Sequence, residues 1–225
     1  MPKDLPYIDI HTHHRKRNSD VLCVVSLEPA EAAADEDLPK NFSCGRHPWH
    51  AGSIWRPADA RLFEEVLAHP YCIALGEVGL DRSRGPEFSL QQAVLIEQLD
   101  LAARRELPVL FHCVRAHADL LQLRKKRGDA QPWIIHGFTG HGELASQLLR
   151  MGFHLSFGAA LLASPSKVRE ACAHVPLDRL FFETDDSGID ISVIYRTAAE
   201  VFGISVGELR RAVYANFREC FGITI

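Results

Sequence analysis

The chain has 225 residues, 47% hydrophobic and 24% charged, with a formal net charge of -4. That is ordinary globular composition, enough for one α/β barrel or one to two smaller domains with a sizeable core. The acidic balance gives no reason to expect a dedicated nucleic-acid binder, so any electrostatic groove for such a substrate would have to be local.

Six cysteines, Cys23, Cys44, Cys72, Cys113, Cys172 and Cys220, occur without a Cys-x-x-Cys pair and mostly inside apolar runs. They predict buried thiols in a reducing cytoplasm, not disulfides or a zinc knuckle. Met1-Pro2-Lys3-Asp4 lacks the apolar region of a signal peptide, and no apolar run is long enough to cross a membrane. The expectation is a cytoplasmic protein with no membrane partner. The oligomeric state stays open, a monomer being compatible with the pattern.

Tyr7 to Ile10 predicts a first strand that continues into His11, followed by the short basic loop His13-His14-Arg15-Lys16-Arg17. Val21 to Leu27 is continuous and β-branched, as in a strand buried on both faces. A short helix over Glu31 to Asp37, a brief strand at Phe42 to Gly45 and a helix over Ala58 to Ala68 come next. The fourth strand, from Cys72, leads to Glu77. Ser89-Leu90-Gln91-Gln92 resembles a capping box opening a helix with Leu90, Val94, Leu95, Leu99 and Ala102 on its apolar face. Leu107 to Phe111 ends in His112, and a helix over Ala116 to Arg127 follows. Trp133 to Ile135 ends in His136. A helix over Glu143 to Arg150, stopped by Gly152, precedes a seventh strand at Phe153 to Phe157. Ser166 to Ala173 is helical, and Leu180 to Thr184 ends in Asp185. Helices over Ser192 to Phe202 and Val206 to Phe221 close the chain, the second opened by a Ser205/Glu208 capping box. With no linker and no repeat beyond the βα alternation, residues 1–225 read as one domain of α/β class, a TIM-like (β/α)8 barrel.

Apolar runs that end in a ligand-type residue are the functional signal. His11 and His13 are two apart, so on a strand both imidazoles share a face. Glu77, His112, His136 and Asp185 stand at further run ends, and strand ends converge on one mouth in a (β/α)8 barrel. Four imidazoles and two carboxylates exceed what one tetrahedral ion with an open position needs. They suit two divalent cations, with mixed donors favouring Zn, Mn, Co or Fe over Mg alone. Two ions about 3.5–4 Å apart can activate a hydroxide and steady the leaving oxygen of an in-line displacement.

The stretches Asp9-Ile10-His11-Thr12-His13, Gly76-Glu77-Val78-Gly79-Leu80-Asp81, Pro108-Val109-Leu110-Phe111-His112, His136-Gly137-Phe138-Thr139-Gly140 and Glu183-Thr184-Asp185 together resemble the ordered motifs of TatD-type metal-dependent hydrolases. Those belong to the amidohydrolase-like barrels. Asn216-Phe217 resembles the family's last motif. The resemblance implies a dinuclear hydrolase, with His11 and His13 on a first ion, Glu77 bridging, and His112 and His136 on a second. It implies that Asp185 binds the first ion and orients or deprotonates the attacking water, and that DNA or another nucleic acid is the substrate. The chain departs from the family in two places. Asp186-Ser187-Gly188 stands where a proline usually follows the last Asp, and Val114 takes a position usually held by arginine, with Arg115 next.

His47-Pro48-Trp49-His50 resembles the family's third-strand motif, so His47 and Trp49 are candidate substrate contacts; the plain alternative is a turn covered by Trp49. Asp81, Arg82 and Arg115 are further candidate contacts. His14 to Arg17 either holds phosphates or is a solvated loop. Arg124 to Arg127 reads as a helix end favoured by the dipole. His117, His141, His154 and His174 read as unrelated to the metals. Two other functions remain on the same pattern: hydrolysis of small phosphoesters or cyclic amides, and metal binding without catalysis.

Overall fold

The computed structural model describes residues 5–15, 18–52, 57–164 and 166–223. Eight strands lie in one sheet in sequence order. They are β1 (Tyr7–Thr12), β2 (Val21–Leu27), β3 (Phe42–Cys44), β4 (Cys72–Asp81), β5 (Val109–Val114), β6 (Trp133–Ile135), β7 (Phe153–Phe157) and β8 (Leu180–Phe182). The helices are α1 (Pro29–Ala34), α2 (Pro57–Leu67), α3 (Phe88–Arg104), α4 (His117–Arg127), α5 (Gly142–Arg150), α6 (Lys167–Ala173), α7 (Ile191–Phe202) and α8 (Val206–Phe221). Parallel strands in sequence order with helices between them are the topology of a (β/α)8 barrel. Among the described residues no helix is long and apolar enough to cross a membrane.

Contacts divide the chain into two compact units, one built from Val25–Ile134 and the other from the described residues on either side of that segment. In the central unit β2 pairs β3, β3 pairs β4 and β4 pairs β5, all parallel. Every residue of β4 is buried, which explains its near-continuous apolar run. Gly79 is there because nothing larger fits. It has φ +152°, and a Cβ added to it would lie 1.9 Å from the His112 carbonyl oxygen. The strand does not stop at Glu77, as the apolar run suggests, but continues to Asp81.

Helix α3 also differs from expectation. Its N-cap is Glu87, earlier in the chain than the Ser89/Gln92 capping box would place it. Leu90 faces outward, 46% exposed, while Gln91 and Gln98 are buried. Seven residues apart, these two glutamines share the inner face. Gln91 accepts from the Asp81 amide at 2.8 Å and donates to the carbonyls of Asp81, Arg84 and Pro86 at 3.0, 3.1 and 3.0 Å. Gln98 clasps the Arg46 backbone, accepting from its amide at 2.7 Å and donating to its carbonyl at 3.2 Å. Buried amides are tolerated here because their bonds are made.

In the flanking unit β7 pairs β8 and an isolated bridge joins Thr12 to Asp185, both parallel. The expected Ser205/Glu208 capping box opens α8. The six cysteines are not in disulfides; four are buried, and Cys23 and Cys113 are half-buried. Burial pushes Cys72, Cys113, Cys172 and Cys220 up to about 12, so these thiols stay protonated.

Asn216 on α8 is buried, and its amide donates to the carbonyls of Leu177 and Leu180 at 2.7 and 2.9 Å. Asn216→Ala leaves two carbonyls short of a donor. The expected result is a loss of about 1–3 kcal/mol in urea unfolding with an unchanged m-value; an unmoved midpoint would deny Asn216 this anchoring role.

Candidate metal centre

In the flanking unit, β1 delivers fully buried His11, and exposed His13 follows just beyond the strand. Asp185 lies three residues past β8 with φ +50°. Its amide donates to the His11 carbonyl at 3.0 Å, and the His13 amide donates to the Asp185 carbonyl at 3.4 Å. These bonds bring the carboxylate to the imidazoles. Asp185 Oδ1 lies 3.6 Å from His11 Nε2 and 3.5 Å from His13 Nε2. The His136 ring rests against His11, centroids 4.2 Å apart.

A layer of polar groups behind this cluster fixes it. His136 Nδ1 faces Glu183 Oε1 at 3.2 Å. The same carboxylate accepts from the Gly137 amide at 2.6 Å and, through Oε2, from the Ser156 hydroxyl at 2.5 Å. Facing an acceptor, Nδ1 carries the proton and Nε2 keeps its lone pair for a ligand. Asp9 accepts from the Thr184 amide at 2.9 Å and the Thr184 hydroxyl at 2.7 Å, and that hydroxyl lies 3.1 Å from Thr12 Oγ1.

The central unit holds a second cluster with the same donor types. Glu77 Oε1 lies 3.1 Å from His47 Nε2 and 2.7 Å from His112 Nδ1. His47 follows β3 and precedes a short 3-10 turn, Pro48–His50. Its amide donates to Glu28 Oε1 at 3.0 Å, and its Nδ1 accepts from the Trp49 amide at 3.2 Å. The second nitrogen of His112 meets Asp81 Oδ2 at 3.3 Å, and Trp49 Nε1 donates to the same oxygen at 2.7 Å. Asp81 Oδ1 accepts from the Ser83 amide and hydroxyl at 2.7 and 2.6 Å and from the Arg84 amide at 3.2 Å.

These donor sets suit a cation. In each triad, His11, His13 and Asp185 or His47, Glu77 and His112, the candidate donor atoms lie within 4.8 Å of one another. Donors about 2.0–2.2 Å from a tetrahedral ion stand about 3.3–3.6 Å apart. The first cluster meets that spacing at 3.5 and 3.6 Å. The second is tighter, at 3.1 and 2.7 Å, so binding there would open the cluster slightly and release a proton. Burial lowers the His47 pKa, and the Glu77 hydrogen bond only partly opposes it, so His47 is held neutral as a ligand must be. Burial also raises Asp81, but hydrogen bonds from Ser83, Trp49 and His112 outweigh it and hold the carboxyl well below the usual range.

The structure therefore brings His11, His13 and Asp185 together, with His136 against them, and Glu77 together with His112. His47, read from sequence as a substrate contact, is a member of the second triad. Arg82 is engaged elsewhere. Its guanidinium makes a bidentate pair with Asp119 at 2.8 to 3.1 Å and covers the Phe88 ring at 3.8 Å. Arg115 is exposed, with φ +54°, just beyond β5. Lys16 and Arg17 of the basic loop lie outside the described residues. His141 caps α5 by accepting from the Leu144 amide, and His174 Nδ1 bonds the Glu170 carbonyl at 2.7 Å. Sequence reasoning missed Glu28, Gln98 and Ser156, whose bonds join residues far apart in the chain, and Gln91, whose partners lie in the stretch just before its helix. Glu183 and Asp9 were in view as motif letters, without their roles.

A family model described as TatD related DNase matches residues 8–222. The chain is 32% identical over 198 residues to the uncharacterized metal-dependent hydrolase YcfH of Escherichia coli (strain K12), covering 81% of this chain and 74% of that protein. It is 34% identical over 149 residues to the 3'-5' ssDNA/RNA exonuclease TatD of Klebsiella pneumoniae (strain 342), covering 64% of this chain and 56% of that one. The crystal structure of YjjV, a TatD homolog from Escherichia coli K12, matches with a TM-score of 0.84 at 24% identity, covering 97% of this chain and 98% of that one. At that identity the structural likeness speaks for the fold alone.

Asp81 orients His112 from behind, so Asp81→Asn is expected to weaken cation binding at the second cluster by about 10–100-fold. Calorimetric titration of chelator-stripped protein reads this directly. An affinity equal to the parent's would mean that His112 needs no carboxylate to aim it.

Proposed function

This chain belongs to the TatD related DNase family, and from that premise we propose that it is a phosphodiesterase acting on single-stranded nucleic acid, with one divalent cation held at each cluster. It is a metal-dependent hydrolase of that family. The observation that carries the finer reading is the repetition of one donor set, two imidazoles and a carboxylate, in each unit. The relative named as an ssDNA/RNA exonuclease supports the choice of substrate.

Bound Zn, Mn, Co or Mg would supply Lewis-acid polarisation of a phosphoryl oxygen and the acidity needed to ionise water. The residues do the rest. His11, His13 and Asp185 would hold one cation, and His47, His112 and Glu77 the other. Glu183 keeps the His136 lone pair on Nε2. Asp185, with its side chain 46% exposed, orients the attacking water and takes its proton. Its backbone bonds to His11 and His13 keep that carboxylate in place, so the base needs no reorganisation during the reaction.

Two measurements test the proposal. Turnover is compared for a single-stranded oligonucleotide, a small phosphodiester and a cyclic amide, each with Mg, Mn, Zn and Co. Cleavage of the oligonucleotide is expected, and turnover of the amide alone would end the phosphodiesterase reading. Asp185→Asn is then expected to lower kcat by about 10²–10⁴-fold with a much smaller change in KM. An undiminished kcat at saturating metal would remove Asp185 from proton transfer.

A further inference from the structure

Two arginines of one loop meet different fates. Arg82 is tied to Asp119. Arg84 is exposed, and its guanidinium lies 4.2 Å from the centroid of the Trp49 ring. Among the described residues no carboxylate pairs with it. Trp49 is itself 38% exposed, unusual for so large an apolar side chain.

The frame around this pair is rigid. The indole is pinned at its inner end by the Nε1 bond to Asp81 at 2.7 Å, and its ring meets His47 edge-on with centroids 4.6 Å apart. The Arg84 amide donates to Asp81 and its carbonyl accepts from Gln91. Gly85, at φ +91°, lets the loop pass so close to Trp49 that an added Cβ would lie 3.1 Å from the Trp49 Cα. The backbone on both sides is held, and the long Arg84 side chain is the part free to swing.

We propose that Trp49 and Arg84 form a shelf beside the second cluster that receives an unpaired nucleobase on the indole and the adjoining phosphate on the guanidinium. The proposal rests on the nucleic-acid reading above and names the residues that would select a strand over a small phosphodiester. A fixed aromatic face suits any base, because every base has a π-face. A planar guanidinium both covers that face when it is empty and matches a phosphate when it is filled. Arg84 takes this role because its charge is unopposed, whereas the charge of Arg82 is already matched.

The test compares kcat/KM for a single-stranded oligonucleotide and for bis(4-nitrophenyl) phosphate in the metal-loaded parent, Arg84→Ala, Trp49→Ala and Trp49→Phe. The ratio of the two is expected to fall on the order of tenfold for Trp49→Ala, the loss of one base stack, and less for Trp49→Phe, which keeps a ring. Arg84→Ala is expected to reduce the slope of log(kcat/KM) for the oligonucleotide against log salt by about 0.7, the share of one single-strand phosphate contact. Arg84 is a surface side chain, so its variant reports even where Trp49→Ala fails to fold. If the parent cleaves the oligonucleotide while both Arg84→Ala and Trp49→Phe keep its ratio and salt slope, the shelf is overturned and the nuclease reading stands. If the parent cleaves no oligonucleotide with any metal, the nuclease reading falls and takes the shelf with it.

Discussion

The two carboxylate oxygens of Asp81 meet hydrogen-bond donors from Trp49, His112, Ser83 and Arg84. A buried carboxylate would be costly to ionise alone, and this many donors reverse the balance and keep the charge. The charge in turn holds three things in register: the imidazole of His112, the indole of Trp49 and the turn carrying Arg84. Gln91 supports the arrangement from α3 by bonding the Asp81 backbone on both its amide and its carbonyl. The second cluster is a consequence of this polar knot more than of its own three side chains.

Close strand packing sets the other constraint. At Gly79 the backbones of β4 and β5 approach so nearly that no side chain fits, and β4 and β5 pair Gly79 with His112 itself. The height of His112 along its strand is thereby fixed relative to Glu77, two residues before the glycine. In the flanking unit the equivalent task falls to backbone bonds between Asp185 and the His11–His13 segment. One cluster is aligned by steric exclusion, the other by hydrogen bonding.

What the sequence made legible follows from this physics. Parallel strands buried on both faces leave apolar runs, and polar residues that interrupt or end them stand out; His11, His112, His136 and Asp185 were found that way. Strand order and fold class followed from the alternation with helices. The run ending at Gly76 misled, because Glu77 and Asp81 are themselves buried members of β4. His47 was seen only as a contact, because it stands beyond a strand of three residues and no apolar run points to it. Gln91 and Gln98 lie outside the apolar face read from the sequence of α3; only the carbonyls and amides they meet explain their burial. Arg82 and Arg84 differ by a partner, Asp119, that lies 37 residues from Arg82, a distance no local pattern spans.

The seam of Asp9, Thr12, Thr184 and Asp185 joins residues more than 170 positions apart. The central unit, by contrast, is one uninterrupted stretch, Val25–Ile134. A chain made from its N-terminus therefore carries His47, Glu77 and His112 before Asp185 is added to His11 and His13. At about 5–20 residues per second, the wait after His112 emerges is roughly 4–15 s. The last donor of the central triad, His112, thus precedes Asp185, the last donor of the flanking triad, by 73 residues of synthesis.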